Sequence, residues 1–223
     1  MLELKNVTTK IAGTPILRNV SLTVEKGTMV GLIGRNGAGK TTTLRTIMGL
    51  IAPESGSVHV GGEDMTEKGA YERAFKRVGY MPEDRRLIAA LTVEENILIP
   101  AWACKKTGVT ARLAWIYEMI PEVEGFANRK AMQLSGGQQK LVALARALMV
   151  GEDIILLDEP FEGIAPVLSR RLANVLHTLK AEGLTVLLSE SDYSHSADLL
   201  DKGYMIERGS VTLFDPSELL GAT

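Results

Sequence analysis

The stretch GRNGAGKT at residues 34–41 decides the fold of this 223-residue chain. It fits the pattern G-x-x-x-x-G-K-[ST] of a phosphate-binding loop, and we call it the phosphate loop. The apolar residues 29–33 before it predict a short buried strand, and residues 42–48 after it predict a helix. A strand, a glycine-rich loop and a helix in this order are the context that phosphate binding requires, whereas a tight glycine turn without a ligand requires none of it.

Each part of the phosphate loop has a task in holding a polyphosphate. Its glycines let successive backbone N–H groups turn toward the ligand without Cβ clashes, and the helix dipole adds partial positive charge at the same point. Lys40 supplies a full charge for the β- and γ-phosphates, and the Thr41 hydroxyl is placed to ligate Mg²⁺. The expected nucleotide-binding residues are Gly34, Arg35, Asn36, Gly37, Ala38, Gly39, Lys40, Thr41 and Thr42.

A second glycine-containing loop, LSGGQ at residues 134–138, precedes another helical pattern; we call it the Ser135 loop. A serine cap and two glycines before a helix create a second N-terminus that can hold an anion. A plain capped helix is the alternative. The residues expected to contact nucleotide here are Ser135, Gly136, Gly137 and Gln138.

Paired carboxylates end the apolar stretch IILLDE at residues 154–159. At the carboxyl edge of a parallel strand, Asp158 can hold Mg²⁺ through water. Glu159 can then polarise a water molecule for in-line phosphoryl transfer, which makes Glu159 and Lys40 the expected catalytic residues. A buried strand with a polar end is the alternative interpretation.

In this order and spacing, the three motifs resemble those of the ATPase subunits of ABC transporters, and the resemblance runs from about residue 2 to about residue 214. It implies an α/β fold: a P-loop NTPase core with a parallel sheet, an N-terminal antiparallel β layer and a helical insert. Residues 1–223 would form one domain, with the core in 1–85 and 153–223 and a helical subdomain in about 86–152. The implied cofactors are ATP and Mg²⁺.

Three further stretches resemble the ATPases of branched-chain (hydrophobic) amino acid importers. PEDRR at residues 82–86 is similar to their Pro-Glu-Gly-Arg-Arg loop, and LTVEENI at 91–97 follows it as in that subfamily. Ala165 precedes Pro166 at a position where most of the wider family has an aspartate that signals between two nucleotide sites. The Ala-Pro pair is common in the importer type.

Glu83 stands where transporter ATPases carry a glutamine that touches Mg²⁺ or the attacking water. A carboxylate there can bind the metal, or it can pair with Arg85 or Arg86. A solvated charge cluster is the third possibility.

Two positions depart from the wider family. Ile11 stands where an aromatic residue stacks on adenine, so we expect weaker stacking and looser base selectivity. Ser191 stands where a switch histidine holds the γ-phosphate, which puts the turnover of this site in doubt, although the importer type often lacks the histidine too. His195 lies one turn further along and is expected to point elsewhere.

Composition sets the remaining bounds. A net charge of −2 gives no electrostatic reason to expect nucleic acid as a partner. The single cysteine, Cys104, fits a reducing compartment, and no apolar run approaches the ~20 residues that span a bilayer. The chain starts directly in a predicted strand, without a signal-peptide pattern. We expect a soluble cytoplasmic protein that another chain brings to the cytoplasmic face of the membrane.

The resemblance implies the ATP-hydrolysing subunit of an importer for branched-chain amino acids or a similar small solute. Its implied partners are a second ATPase chain (a heterodimer is expected, a homodimer possible), membrane permease subunits and, indirectly, an external solute-binding protein. In such pairs the Ser135 loop closes over ATP held by the opposite subunit. One alternative is a non-transport clamp, a class that usually carries two cassettes or a long coiled coil. Another is a weakly hydrolysing ATP-binding regulatory subunit, which Ser191 and Ile11 favour and Glu159 opposes.

Overall fold

The strand predicted before the phosphate loop lies inside a six-stranded sheet. The structure is a computed structural model that describes residues 2–217. Its strands are β1 (Leu2–Ile11), β2 (Thr14–Val24), β3 (Met29–Ile33), β4 (Ser55–Val60), β5 (Glu63–Asp64), β6 (Val78–Met81), β7 (Ile154–Asp158), β8 (Thr185–Glu190), β9 (Lys202–Glu207) and β10 (Ser210–Phe214). Its α-helices are α1 (Lys40–Ile47), α2 (Ala70–Phe75), α3 (Val93–Ala103), α4 (Val109–Met119), α5 (Pro121–Gly125), α6 (Gly136–Val150) and α7 (Pro166–Ala181), with a 3₁₀ turn at Ala131–Gln133.

The larger sheet has the order β10-β9-β3-β8-β7-β6, and its pairs are parallel except for the β9–β10 hairpin. Every residue of β3, β7 and β8 is buried, which explains why their apolar residues stand side by side rather than alternating with polar ones. Because β3, β8 and β7 are neighbours and parallel, their carboxyl ends meet at one edge. Ligands of open α/β sheets bind at such an edge.

The smaller sheet, in the order β2-β1-β4-β5, is antiparallel throughout and confirms the predicted N-terminal layer. Its buried side chains form one apolar cluster with α1 and with one face of the larger sheet. The helix after the phosphate loop therefore lies between the two sheets, and this packing fixes the direction of its N-terminus.

The other face of the larger sheet shares a second apolar cluster with helices α3 to α7. Helices α3, α4 and α5 all lie between residues 92 and 133, within the helical insert that the resemblance implied. Helix α6 packs against α3 and β6 and is mostly buried. The proposed subdomain boundaries near residues 86 and 152 stay a prediction. Among the described residues, no helix is both long and apolar enough to cross a membrane.

Candidate active site

The phosphate loop lies at the carboxyl end of β3, and it needs glycine at residues 39 and 34 for two different reasons. Gly39, the residue before α1, has φ 117°, a conformation that side chains rarely allow. A Cβ on Gly34 would lie 2.3 Å from the carbonyl oxygen of Ile206 in β9. The loop can therefore pass this close to the neighbouring strand only because residue 34 has no side chain.

Lys40 crosses the mouth of the loop with its side chain 5% exposed. Its ammonium donates to the carbonyl oxygens of Gly34 at 2.5 Å and Arg35 at 3.1 Å. The same nitrogen lies 3.0 Å from Glu159 Oε1 and 3.2 Å from Ser191 Oγ. The structure thus brings the two predicted catalytic residues into a buried ion pair at the loop.

Asp158, the last residue of β7, is buried and accepts hydrogen bonds from three hydroxyl groups. The donors are Thr41 (3.1 Å), Ser189 (2.8 Å) and Tyr80 (3.2 Å). Burial raises the pKa of Asp158, and these hydrogen bonds oppose that shift. The sequence predicted Thr41 and Asp158 but missed the other two donors, because both depend on strand pairing. The pairing of β7 with β8 sets Ser189 beside Asp158, and the pairing of β6 with β7 brings Tyr80 to it from the other side.

The oxygen ligands of Thr41 and Asp158 suit Mg²⁺, a hard cation that proteins hold through one or two carboxylates plus substrate phosphates. No group of three or more His, Cys, Asp or Glu side chains in residues 2–217 is arranged to hold a metal by itself. The donor set therefore fits an ion that is completed by a bound nucleotide, rather than one in an all-protein cage.

Glu159 follows β7 in a left-handed conformation with φ 48°, which is uncommon for a residue other than glycine. Its backbone N–H donates to the carbonyl of Ser189 at 3.1 Å. Its carboxylate accepts from the Ser191 N–H at 3.1 Å and from the Ser191 hydroxyl at 2.6 Å. Backbone strain of this kind persists where the surroundings fix a conformation, and it clusters at functional sites.

Ser191 lies where the sequence placed it, at the end of β8. Its hydroxyl oxygen also lies 2.8 Å from Asn36 Oδ1, a second acceptor for the single hydroxyl proton, so Ser191 connects the phosphate loop with Glu159. The expectation that His195 points away from the γ-phosphate, unless its loop shifts, stays a prediction. The His195 ring stacks on Phe161, with centroids 5.6 Å apart, and lines a cavity of about 190 Å³ together with Glu159 and Ser191.

Glu83 is exposed and lines a cavity of about 370 Å³ with Lys40, Thr41, Thr42 and Glu159 among its other lining residues. Partial shielding of its carboxyl group from water and the neighbouring carboxylates of Glu162, Asp158 and Glu159 raise the pKa of Glu83.

The pairing of Glu83 with an arginine is not found in the described part of the chain. Arg86 pairs with Asp84, and Arg85 donates to the carbonyl of Gly136 and to Gln139. Arg146 of α6 in turn donates to the carbonyl oxygens of Arg85 and Arg86. Residues 82–86, which we call the Glu83 segment, are therefore held against α6 by hydrogen bonds.

The Ser135 loop forms the predicted helix cap. The Ser135 hydroxyl accepts from the Gln138 N–H at 3.3 Å, and Gln138 Oε1 accepts from the Ser135 N–H at 3.0 Å. A Cβ on Gly137 would lie 2.2 Å from a methyl group of Leu168. Within residues 2–217, no hydrogen bond joins this loop to the phosphate loop. One chain does not bring its two glycine loops together.

One charged residue beside the site was missed by sequence reasoning. Lys140 of α6 is 3% exposed, and its ammonium donates to the backbone carbonyl oxygens of Glu159, at 2.7 Å, and Glu162. Its only sequence signal is its position next to the apolar run that begins at Leu141, on a helix that is mostly buried.

Comparisons with known proteins agree with this geometry. Residues 17–162 match the sequence model of the family described as ABC transporter. The chain is 34% identical to the high-affinity branched-chain amino acid transport ATP-binding protein BraG of Pseudomonas aeruginosa, over 99% of this chain and 94% of that protein. It is 31% identical to the lipopolysaccharide export system ATP-binding protein LptB of Haemophilus influenzae, over 95% of this chain and 88% of that protein.

Two solved structures are also similar. A dimeric ATP-binding cassette in a post-hydrolysis state, bound to ADP and Pi, has a TM-score of 0.86 and 30% identity, covering 97% of this chain and 99% of that chain. An ATP-binding cassette of an ABC transporter in its ADP conformation has a TM-score of 0.84 and 27% identity, covering 100% of this chain and 95% of that chain. Sequence, fold and site geometry lead to one conclusion: this chain belongs to the ABC transporter family, as an ATP-hydrolysing cassette.

Proposed function

We propose that this cassette powers an importer of branched-chain amino acids or a similar small solute. The observation that carries the ATP-hydrolysing role lies at one edge of the parallel sheet. There Lys40 pairs with Glu159, and Thr41 donates to Asp158. The resemblance of the Glu83 segment to importer ATPases and the similarity to BraG support import. Similarity to LptB supports a second candidate, an export ATPase.

The proposed reaction is in-line hydrolysis of the γ-phosphate of ATP. Backbone N–H groups of the phosphate loop and the Lys40 ammonium hold the β- and γ-phosphates and stabilise the charge that develops on the leaving ADP. The Glu159 carboxylate accepts the proton of the attacking water as the P–O bond to ADP breaks.

Mg²⁺, held by Thr41 and Asp158 with Glu83 as a further oxygen ligand at the cavity wall, would neutralise charge on the phosphate oxygens.

The Lys40–Glu159 ion pair has a consequence for this reaction. A γ-phosphate that takes Lys40 as its counter-ion competes with the Glu159 carboxylate, whose oxygen is now 3.0 Å from the ammonium. Release of Glu159 from Lys40 would free the carboxylate to act as the base. Nucleotide binding and base activation are therefore proposed to be one event.

The site is proposed to be completed by a second cassette. The Ser135 loop forms an ordered helix cap but makes no hydrogen bond to its own phosphate loop among the described residues. In a head-to-tail pair, its Ser135, Gly136, Gly137 and Gln138 would contact ATP on the opposite cassette. The similar dimeric cassette bound to ADP and Pi supports pairing.

We favour a heterodimer, since Ser191 cannot carry the positive charge of a histidine at the γ-phosphate. The pair would act on permease subunits at the cytoplasmic face of the membrane. An external solute-binding protein would deliver the solute to those permease subunits.

Substitution of Lys40 by alanine tests nucleotide binding at this site. Lys40→Ala removes the charge that meets the phosphates, so titration calorimetry should detect no ATP binding. Lys180→Ala is the matched control, because Lys180 donates to the Leu199 carbonyl, away from the phosphate loop. Affinity close to that of the unmodified protein in Lys40→Ala would refute the assignment of the phosphate loop.

Transport direction is tested in a strain that lacks this chain. Uptake of labelled leucine, isoleucine and valine should fall, and the unmodified gene should restore it while the Lys40→Ala form does not. Unchanged uptake together with a defect in exported lipopolysaccharide would favour the second candidate. Loss of neither process, with ATP binding intact, would favour a clamp or a regulatory subunit.

A further inference from the structure

A buried ammonium closes the turn that follows Glu159. Lys140 belongs to α6, five residues after Ser135, and its side chain reaches the loop after β7. There it donates to the carbonyl oxygens of Glu159 and Glu162, while the Glu162 N–H donates to the Glu159 carbonyl at 3.3 Å. An ammonium group is costly to bury, and these two carbonyls supply the partners that offset the cost.

The turn is held from both sides. On one side, the Glu159 N–H is bonded to Ser189 of β8, and on the other side, the Glu159 carbonyl is bonded to Lys140 of α6. The left-handed conformation of Glu159 between these two bonds is strained and needs such constraints to persist. The orientation of the Glu159 carboxylate therefore depends on the position of α6 relative to β8.

Helix α6 also supports the opposite wall of the site. Arg146 holds the carbonyls of Arg85 and Arg86, and Arg85 reaches back to Gly136 at the start of the helix. The Glu83 segment, the Glu159 turn and the Ser135 loop are thus connected to one helix of 15 residues. A displacement at its N-terminus would be carried to both walls, because a helix with this much buried surface moves as a unit.

We propose that Lys140 is a positioning residue that couples the Ser135 end of α6 to the backbone of Glu159. Closure of the Ser135 loop on the opposite cassette's nucleotide would then align the catalytic carboxylate of its own chain. The two sites of the pair would be linked by a path of five residues along one helix. This inference rests on the proposed paired hydrolysis of ATP and adds a regulation to it.

The test uses the cassette in its complete ATP-hydrolysing assembly. Lys140→Met keeps the apolar stem and removes the donors, whereas Lys140→Arg keeps charge and donors. Lys180→Met is the control, since Lys180 also donates to a backbone carbonyl, that of Leu199 at 2.6 Å, but on α7. For Lys140→Met we expect kcat to fall about 10- to 100-fold, because small misplacements of a catalytic group cost up to about 10²-fold. The KM and Kd for ATP should stay within about twofold.

Lys140→Arg should recover most of the lost kcat, and Lys180→Met should leave kcat within about twofold even where its melting temperature falls. A Lys140→Met protein that is folded at the assay temperature and has normal kcat would overturn the inference. So would a loss that only tracks the folded fraction, as a purely structural role predicts.

A double-mutant cycle tests the coupling itself. If Lys140 transmits the position of the Ser135 loop, the Ser135→Ala and Lys140→Met effects on kcat should be less than multiplicative when combined. Multiplicative losses would overturn the transmission. An unmodified assembly without ATPase activity would contradict the proposed function itself, whereas an active one with an equally active Lys140→Met form would overturn only this inference.

Discussion

Replacement of Glu159 by glutamine should change three measurable quantities: the rate of ATP hydrolysis, the stability of the fold and the affinity for ATP. Glutamine keeps the size of the side chain and its ability to accept from Ser191, but it removes the negative charge 3.0 Å from Lys40. Hydrolysis should fall about 10²–10⁴-fold if Glu159 is the general base. ATP should still bind, and the closed pair of cassettes should accumulate.

The magnitudes follow from the burial of the ion pair, whose side chains are 5% and 7% exposed. A hydrogen bond to a charged group contributes about 1.5–3 kcal/mol, so the substitution should lower the free energy of unfolding by about that amount. For a chain of this length, the melting temperature should fall by about 3–12 °C. ATP affinity should rise by about 10- to 100-fold, because the γ-phosphate no longer has to displace a carboxylate from Lys40.

Three measurements on one preparation check this reasoning: thermal unfolding without nucleotide, calorimetric ATP binding, and single-turnover hydrolysis. Glu162→Gln is the matched control, since that exposed carboxylate lies three residues further on and does not pair with Lys40 in the structure. Near-normal hydrolysis by Glu159→Gln would move the base elsewhere, with Glu83 the next candidate. Weaker ATP binding would refute the competition between Glu159 and the phosphate.

Three other substitutions test adenine stacking at Ile11, the missing positive charge at Ser191 and the titration of Glu190. Ile11, 44% exposed at the end of β1, should give tighter ATP binding as Ile11→Tyr, by about 0.5–1.5 kcal/mol from stacking; unchanged affinity in a binding titration would place adenine elsewhere. Ser191→His should raise the ATPase rate of this chain alone by adding positive charge at the γ-phosphate, with little gain in a mixed dimer, and an unchanged rate would count against a deficient site. Burial raises the pKa of Glu190 from 4.5 to about 8, so the folded state holds this proton more tightly and stability falls as pH rises between those values. Glu190→Gln should remove that slope in urea unfolding, and parallel pH curves for both proteins would contradict it.

Local motifs made much of the fold predictable. The strand at 29–33 has the predicted bounds, and helix α1 begins two residues before its predicted start, because Lys40 and Thr41 already belong to its first turn. Strand order was less accessible. That β9 lies beside β3, and that Ser189 lies opposite Asp158, are long-range pairings that no local pattern encodes.

The site shows the same division. The sequence predicted roles for Lys40, Asp158 and Glu159 from residue type and spacing, since phosphate and metal chemistry restrict both, and the structure brings these three residues together. It missed Lys140, because a lysine in a helix is usually solvated and this one is buried only through packing of α6 against the Glu159 turn. The left-handed backbone of Glu159 was also hidden, since glycine, the usual signal for that conformation, is absent there.

The decisive experiment measures phosphate release from ATP in the presence of Mg²⁺, first for the purified chain alone and then with its second cassette and the membrane subunits. We expect slow, Lys40-dependent hydrolysis by the chain alone, and a higher rate when a second cassette supplies its Ser135 loop and the membrane subunits are added. A chain that stays monomeric in the presence of ATP and already matches the rate of the full assembly would show that its site is complete alone, and would contradict the account.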